Sequence, residues 1–184
     1  GLVPALAHPA PKRAMVIGLG TGTTAGWLAA VPGMEQVDAV ELEGTVLEAA
    51  RECALANLGV MDDPKVRVVV NDAREVLLTS PERYDLVSSE PSNPYRAGVG
   101  SLFTVEFYQA VSDRLTERGV LAQWVQGYEI DAGTFRTVVA TLHQVFPHVE
   151  VWETGYNTDL LVLASKQPLV WDLPSLEARL AAQP

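Results

Sequence analysis

Cysteine is almost absent from this sequence. Its one example, Cys53, has no partner for an internal disulfide, so a reducing compartment is permitted. Cys53 sits within LEAARECALANLG, whose spacing reads as a helix, and it is given no chemical role. Basic residues are scarce too: 13 Lys and Arg against 23 Asp and Glu, a formal net charge of −10. General nucleic-acid binding needs clustered Lys and Arg, so that class is excluded. An acidic surface suits a cationic small substrate instead. The three histidines, His8, His143 and His148, show no triad or ligand spacing and receive no role, and no metal-ligand cluster is legible. Nor is there an apolar run fit to cross a membrane. Residues 14–34 carry no charge and are long enough, but five glycines, three threonines and Pro32 break them up. No secretory signal is visible. The chain opens on Gly1 rather than Met, and it reads as an excerpt of a longer protein.

What remains is an ordinary globular composition, with 48% hydrophobic and 20% charged residues in a chain of 184, the size of one domain. Short β-rich runs at 14–18, 36–42, 66–70, 84–89 and 119–125 alternate with helical patterns at 23–31, 44–59, 73–80, 104–119 and 132–146. Gly59 and Gly119 read as helix C-caps and Asp131 as an N-cap. Such alternation predicts an α/β fold, a parallel sheet covered on both faces and joined by right-handed crossovers. The end differs: VEVWET and DLLVLAS are joined by GYN, which predicts a hairpin and an antiparallel last strand. Residues 168–184 are expected to hold one short amphipathic helix. There is no internal repeat.

The chemistry-bearing residues fall at the carboxyl ends of the predicted strands, where open α/β sheets bind ligands. Gly18, Gly20 and Gly22, with Thr21 among them, follow the first strand and open a helix, which turns backbone amides toward a ligand. Glu41 ends the second strand 19 residues after Gly22, where an acidic side chain commonly takes ribose hydroxyls; an exposed strand-end carboxylate is the plainer alternative. Asp72 follows the third strand, where a helix N-cap and a ligand contact coexist without conflict. Glu90 follows the fourth, at the head of a 14-residue Gly- and Pro-containing connection that is long enough to act as a lid. The spacing alone leaves a nicotinamide site and a sulfonium-nucleoside site both open. Thr23 stands where the dinucleotide fingerprint has glycine, and this favours the second.

HPAPKRAMVIGLGTG, VDAVELEGTVLEAAR, DPKVRVVVNDAREVL, RYDLVSSEPSNP and SLFTVEFYQAVSDRLTERGVL occur in order from His8 to Leu121, and the likeness they carry extends over residues 8 to about 165. In this the chain resembles the spermidine/spermine synthase (aminopropyltransferase) family, and most of all its bacterial synthase-like domains with SEPSNP, often fused behind transmembrane segments. The resemblance implies a Rossmann-like S-adenosylmethionine (SAM) methyltransferase fold of seven strands. It implies that Gly18, Gly20, Thr21 and Gly22 line a nucleoside site, that Glu41 holds the ribose, and that Asp72 with Ala73 meets the adenine. Glu90 then occupies the place of the catalytic aspartate that deprotonates the amine, and Ser101, Leu102 and Phe103 anchor a gatekeeping loop.

The departures bear on substrate. Such synthases usually show G-G-G-D-G-G, so Thr21 replaces an aspartate here. They show D-S-S-D-P, so Asn93 replaces the aspartate that helps bind the diamine. Their amino-terminal β domain is not in this chain. Asn93 and Tyr95 are taken as acceptor contacts, Arg96 is equally well loop surface, Trp124 reads chiefly as packing, and Tyr128 is a candidate wall of the acceptor pocket. The expectation is a single-domain transferase that takes SAM or decarboxylated SAM as donor, uses no metal, accepts a small amine and releases methylthioadenosine. A SAM-dependent methyltransferase is the second reading. A non-catalytic nucleoside-binding domain of a membrane protein is the third. A cytoplasmic location is expected, with membrane segments elsewhere in the parent chain and a homodimer both allowed.

Overall fold

The computed structural model describes residues 1–92, 94, 98–128, 130–153, 159–172, 174 and 177. Its strands are β1 (Arg13–Ile17), β2 (Gln36–Glu41), β3 (Val66–Val70), β4 (Tyr84–Ser89), β5 (Leu115–Val125), β6 (His148–Glu153) and β7 (Leu160–Ser165). They form a seven-stranded sheet in the order β3-β2-β1-β4-β5-β7-β6. The first five pair in parallel. β7 lies antiparallel between β5 and β6, so the expected pairing of the last two strands forms. Its GYN connection (155–157) lies outside the described residues.

The strands are apolar on both sides because both faces of the sheet are covered. Met15 and Ile17 of β1 join the core with α4 (Ala73–Thr79), α5 (Val105–Arg114) and α6 (Ala132–His143), through Leu77, Phe107, Tyr108, Val138 and Leu142. Ala14 and Val16 point the other way, to α1 (Leu2–Ala7), α2 (Thr23–Ala30) and α3 (Val46–Glu52), through Ala5, Ala25, Leu28 and Ala50. Leu28 and Leu142 are fully buried, and burial of each contributes about 2 kcal/mol. Asp131 caps α6 by accepting the N–H groups of Gly133 at 2.7 Å and Thr134 at 3.0 Å.

Two helices are shorter than their patterns predict, and α1 has no counterpart among the predicted elements. The run 44–59 is helical only over Val46–Glu52. Beyond it Leu58 and Gly59 take left-handed φ of 60° and 68°, and the Gly59 N–H returns to the Ala54 carbonyl at 2.9 Å. The run 104–119 leaves the helix after Arg114, whose guanidinium donates to the carbonyls of Leu77 and Leu78. Leu115 then pairs with Tyr84, and the ladder resumes only at Leu86 with Val120, so 116–119 bulge from β5. Gly119 is therefore no helix cap: it packs on Leu115, where a Cβ would come within 2.9 Å of Cδ2. The tail helix expected over 168–184 lies mostly outside the described residues. Among the described residues no helix is long and apolar enough to cross a membrane.

Candidate functional site

From β1 the chain builds outward to β2 and β3 on one side, and to β4 and β5 on the other. The order reverses between β1 and β4, and the crevice beyond the carboxyl ends there is the natural ligand site of such a sheet. A cleft of about 640 Å³ occupies it, lined among others by Gly18, Gly20, Thr21, Glu41, Asp72, Ala73 and Glu90. Residues as far apart in sequence as Ile17 and Trp124 thus share one cavity because the strands end together.

The floor is the turn after β1. The Gly18 N–H donates to the Val40 carbonyl at 2.9 Å, and the Glu90 N–H to the Ile17 carbonyl at 3.0 Å, locking three strand ends together. Gly22 N–H closes a turn on the Leu19 carbonyl at 2.8 Å and leads into α2. Gly18 has φ 88°, and a Cβ there would lie 3.3 Å from the Glu90 carbonyl oxygen. Gly22 has φ 81°, and its Cβ would lie 2.7 Å from Val60 Cγ1, so it lies behind the cleft surface that Gly20 and Thr21 line. Thr21 is exposed to the cleft, its hydroxyl 2.9 Å from that of Thr23. The first-turn amides of α2 have no intrahelical acceptor, which makes this end of the cleft favourable to an anionic or hydroxyl-bearing group.

Glu41 is fixed at the end of β2: its Oε2 accepts the Leu19 N–H at 2.9 Å and its Oε1 the Glu43 N–H at 3.0 Å. Asp72 caps α4 by accepting the Arg74 N–H at 2.9 Å, and its carboxylate also receives the Arg74 guanidinium. That guanidinium, together with the capped amide, holds the Asp72 carboxyl below its ordinary range. Ala73 beside it is buried and borders the cleft, leaving a shallow apolar wall next to a fixed acceptor.

Glu90 stands half-buried at the end of β4, on the opposite side of the turn, and its Oε1 accepts the Ser88 hydroxyl at 3.1 Å. Trp124, predicted mainly as packing, borders this end of the cleft, whereas Tyr128 is exposed and outside the lining. The connection after β4 ends in a 3₁₀ turn, Val99–Phe103; Ser101 and Leu102 reach the cleft, while Phe103 is buried in the core. Asn93, Tyr95 and Arg96 lie outside the described residues. The histidines are elsewhere: His8 is buried at the opposite end of the sheet, 3.8 Å from Asp85, and His143 and His148 lie on α6 and β6. Among the described residues no three His, Cys, Asp or Glu side chains group as a metal would need.

Three features were not read from the sequence. Arg74 engages Asp72 from two residues along, and only the proximity of the pair hinted at it. Asn57, buried behind the glycine turn, donates to the Thr21 carbonyl; its one signal was a polar residue inside the otherwise apolar run 53–60. Ser89 and Gln123, register partners on β4 and β5 beside Glu90 and Trp124, bury an Oγ and an Oε1 without a hydrogen-bond partner in the protein. Buried polar atoms left unpaired are costly, and they concentrate at functional sites.

The comparisons with known proteins bear on the family and the fold. The model of the spermine/spermidine synthase domain matches residues 1–156. A polyamine aminopropyltransferase of Thermotoga petrophila is 31% identical over 156 residues, 85% of this chain and 52% of that protein, so the chain spans about half the length of that relative. A crystal structure of spermidine synthase in complex with the transition-state analogue AdoDATO superposes with a TM-score of 0.81 at 26% identity, covering 98% of this chain and 69% of that one. Human methyltransferase-like protein 13 in complex with SAH shares the fold, with a TM-score of 0.77 at 21% identity over 97% of this chain and 83% of its own. The sheet order, with its one antiparallel strand, is that of the Rossmann-like SAM-methyltransferase fold. The chain belongs to the spermine/spermidine synthase domain family.

Proposed function

We propose that this chain is the nucleoside-binding and catalytic part of an aminopropyltransferase. The observation that carries the reading is the pairing of two carboxylates in one cleft: Glu41, braced by backbone amides on the β2 side, and Glu90, held by Ser88 on the β4 side. Glu41 takes the ribose hydroxyls of an adenosyl sulfonium, Asp72 and Ala73 meet the adenine, and Gly18, Gly20 and Thr21 form the floor, with Gly22 packed behind it. A small amine enters at the Glu90 end, with Asn93 and Tyr95 as further contacts. Glu90 takes a proton from the arriving ammonium, and the freed amine nitrogen attacks the carbon beside the positive sulfur in line. The C–N bond forms, the C–S bond breaks, and methylthioadenosine leaves. Holding nucleophile and sulfonium in line supplies most of the acceleration, and Glu90 supplies the base.

The donor is decarboxylated SAM in this scheme, with intact SAM as the competitor that Thr21 admits. Residues 1–184 act as one domain, and a cytoplasmic location suits a reaction between two small metabolites. The methyltransferase and purely nucleoside-binding alternatives are disfavoured by the family and by the relatives' names. The test is incubation of the full-length protein with each sulfonium donor and a panel of diamines, reading products by mass. Methylthioadenosine together with an aminopropylated amine is the expected result; a methylated amine with S-adenosylhomocysteine, or no turnover of any pair, overturns the proposal.

A further inference from the structure

Asn57 does not line the cleft, yet it is fully buried directly behind the cleft's floor. A side-chain amide offers two N–H donors and an oxygen with two lone pairs, and here all four are used. Nδ2 donates to the carbonyls of Thr21 at 2.8 Å and Ala50 at 2.7 Å. Oδ1 accepts the N–H groups of Gly59 at 3.1 Å and Val60 at 3.3 Å. One side chain therefore ties the glycine turn, the end of α3 and the segment leading to β3.

The surrounding backbone is built to admit it. A Cβ on Gly26 would come within 2.0 Å of the Asn57 carbonyl oxygen, and one on Gly22 within 3.1 Å of Nδ2. Leu58, next in the chain, holds φ at 60°, which no other described non-glycine residue does. A bulky residue is kept in that region only where its surroundings over-determine it. The strained Leu58 adjoins the saturated Asn57 amide, and through that amide the segment holds the Thr21 carbonyl. A peptide unit is rigid and planar. With its oxygen held by Asn57 on the side away from the cleft, the Thr21–Gly22 unit cannot present that oxygen to a ligand.

We propose that Asn57 is the positioning residue of the nucleoside site: it fixes the turn from Gly18 to Gly22 in its binding form, and so couples occupancy of the cleft to the segment 57–60. This rests on the nucleoside reading given above. Asn57→Asp keeps the shape but sets a carboxylate oxygen against two carbonyls. Methylthioadenosine binding is measured by calorimetry at a temperature where the variant is folded, beside Val138→Ala, a core change on the other face of the sheet. Both variants lower the melting temperature. Asn57→Asp is expected to weaken binding about ten-fold or more, with Val138→Ala unchanged. In the unmodified chain, hydrogen exchange provides a second readout that does not depend on any variant folding. The Gly59 and Val60 amides, which face Asn57 and not the cleft, are expected to slow when methylthioadenosine binds, because coupling between sites is reciprocal. Binding retained in Asn57→Asp, or Gly59 and Val60 exchange unmoved by ligand, overturns this inference alone. No binding by the unmodified chain overturns the nucleoside reading, and this inference with it.

Discussion

Glu41 Oε2 accepts the Leu19 N–H at 2.9 Å, a bond from the end of β2 to the turn after β1. The carboxylate is thereby oriented before any ligand arrives, and an ionised carboxylate has about four lone-pair sites, so capacity for two ribose hydroxyls remains. Glu41→Ala removes both the brace and the acceptor. A lost hydrogen bond to a charged group costs about 1.5–3 kcal/mol, so methylthioadenosine binding should fall about ten-fold or more by calorimetry. Unchanged affinity removes Glu41 from the site.

Glu90 is expected to act on the amine and not on the nucleoside. A primary amine has a pKa near ~10, so at neutral pH it arrives as ammonium and must lose a proton before attack. Glu90→Gln keeps the size and the Ser88 contact but cannot accept that proton. In the full-length protein it should cut turnover by roughly 10²-fold or more, with nucleoside affinity preserved. Full turnover in Glu90→Gln assigns the proton elsewhere.

Gly26 is required by contact, not by conformation. Its φ is ordinary for a helix, but a Cβ there would stand 2.0 Å from the Asn57 carbonyl oxygen, a backbone atom that cannot swing aside. Gly26→Ala should therefore cost about 2–3 kcal/mol, as overpacking of a close contact does. An exposed-helix glycine would instead gain up to about 1 kcal/mol from the same change. The sign of the shift in thermal unfolding decides between the two.

Asp38 predicts the acid limb of the stability curve. Burial disfavours its charged form, but hydrogen bonds from Arg67, Gln36 and Tyr84 outweigh burial and hold the carboxyl below its ordinary value. A depressed folded-state pKa gives stability that is present above the unfolded value, about 3.9, and is lost as pH falls through the folded value. The melting temperature of Asp38→Asn should lie below that of the unmodified chain at pH 7, and the gap should close as pH drops below about 4. A gap constant from pH 7 to pH 2 assigns the loss to packing instead.

The sheet was legible because β-rich runs of five to seven residues recur between helical patterns, and the place of the candidate site was legible because Gly18, Glu41, Asp72 and Glu90 each end or follow such a run. What failed was local. The helical period persists through Leu115–Gly119 and through Cys53–Leu58, yet tertiary contacts end both helices early: the Leu115 pairing with Tyr84 in one case, the Asn57 amide in the other. Periodicity reports which side of a segment is apolar, and it is blind to a buried amide that competes for backbone partners. Arg74 and the Ser89–Gln123 pair were missed for a related reason, since their meaning depends on neighbours brought together only by the fold.

Thr21 bears on the choice of donor. It reaches the cleft, carries no charge, and stands at the start of α2, whose first-turn amides favour an anion. The resemblance sets an aspartate at this position in the synthases, near the amino end of decarboxylated SAM, where the carboxylate of intact SAM would be repelled. Two unit charges about 4 Å apart repel by roughly 4 kcal/mol at an effective dielectric near 20, and solvent lowers this further. Even a third of that energy is about a ten-fold change in affinity. The chain is therefore expected to bind SAM at least as well as decarboxylated SAM, and Thr21→Asp to lose SAM selectively while keeping methylthioadenosine, which lacks the charged arm. Calorimetry with the three ligands on both proteins separates the cases. If decarboxylated SAM binds a hundred-fold tighter to the unmodified chain, selectivity is set by groups other than residue 21, and the Thr21 hydroxyl bonded to Thr23 serves only the turn.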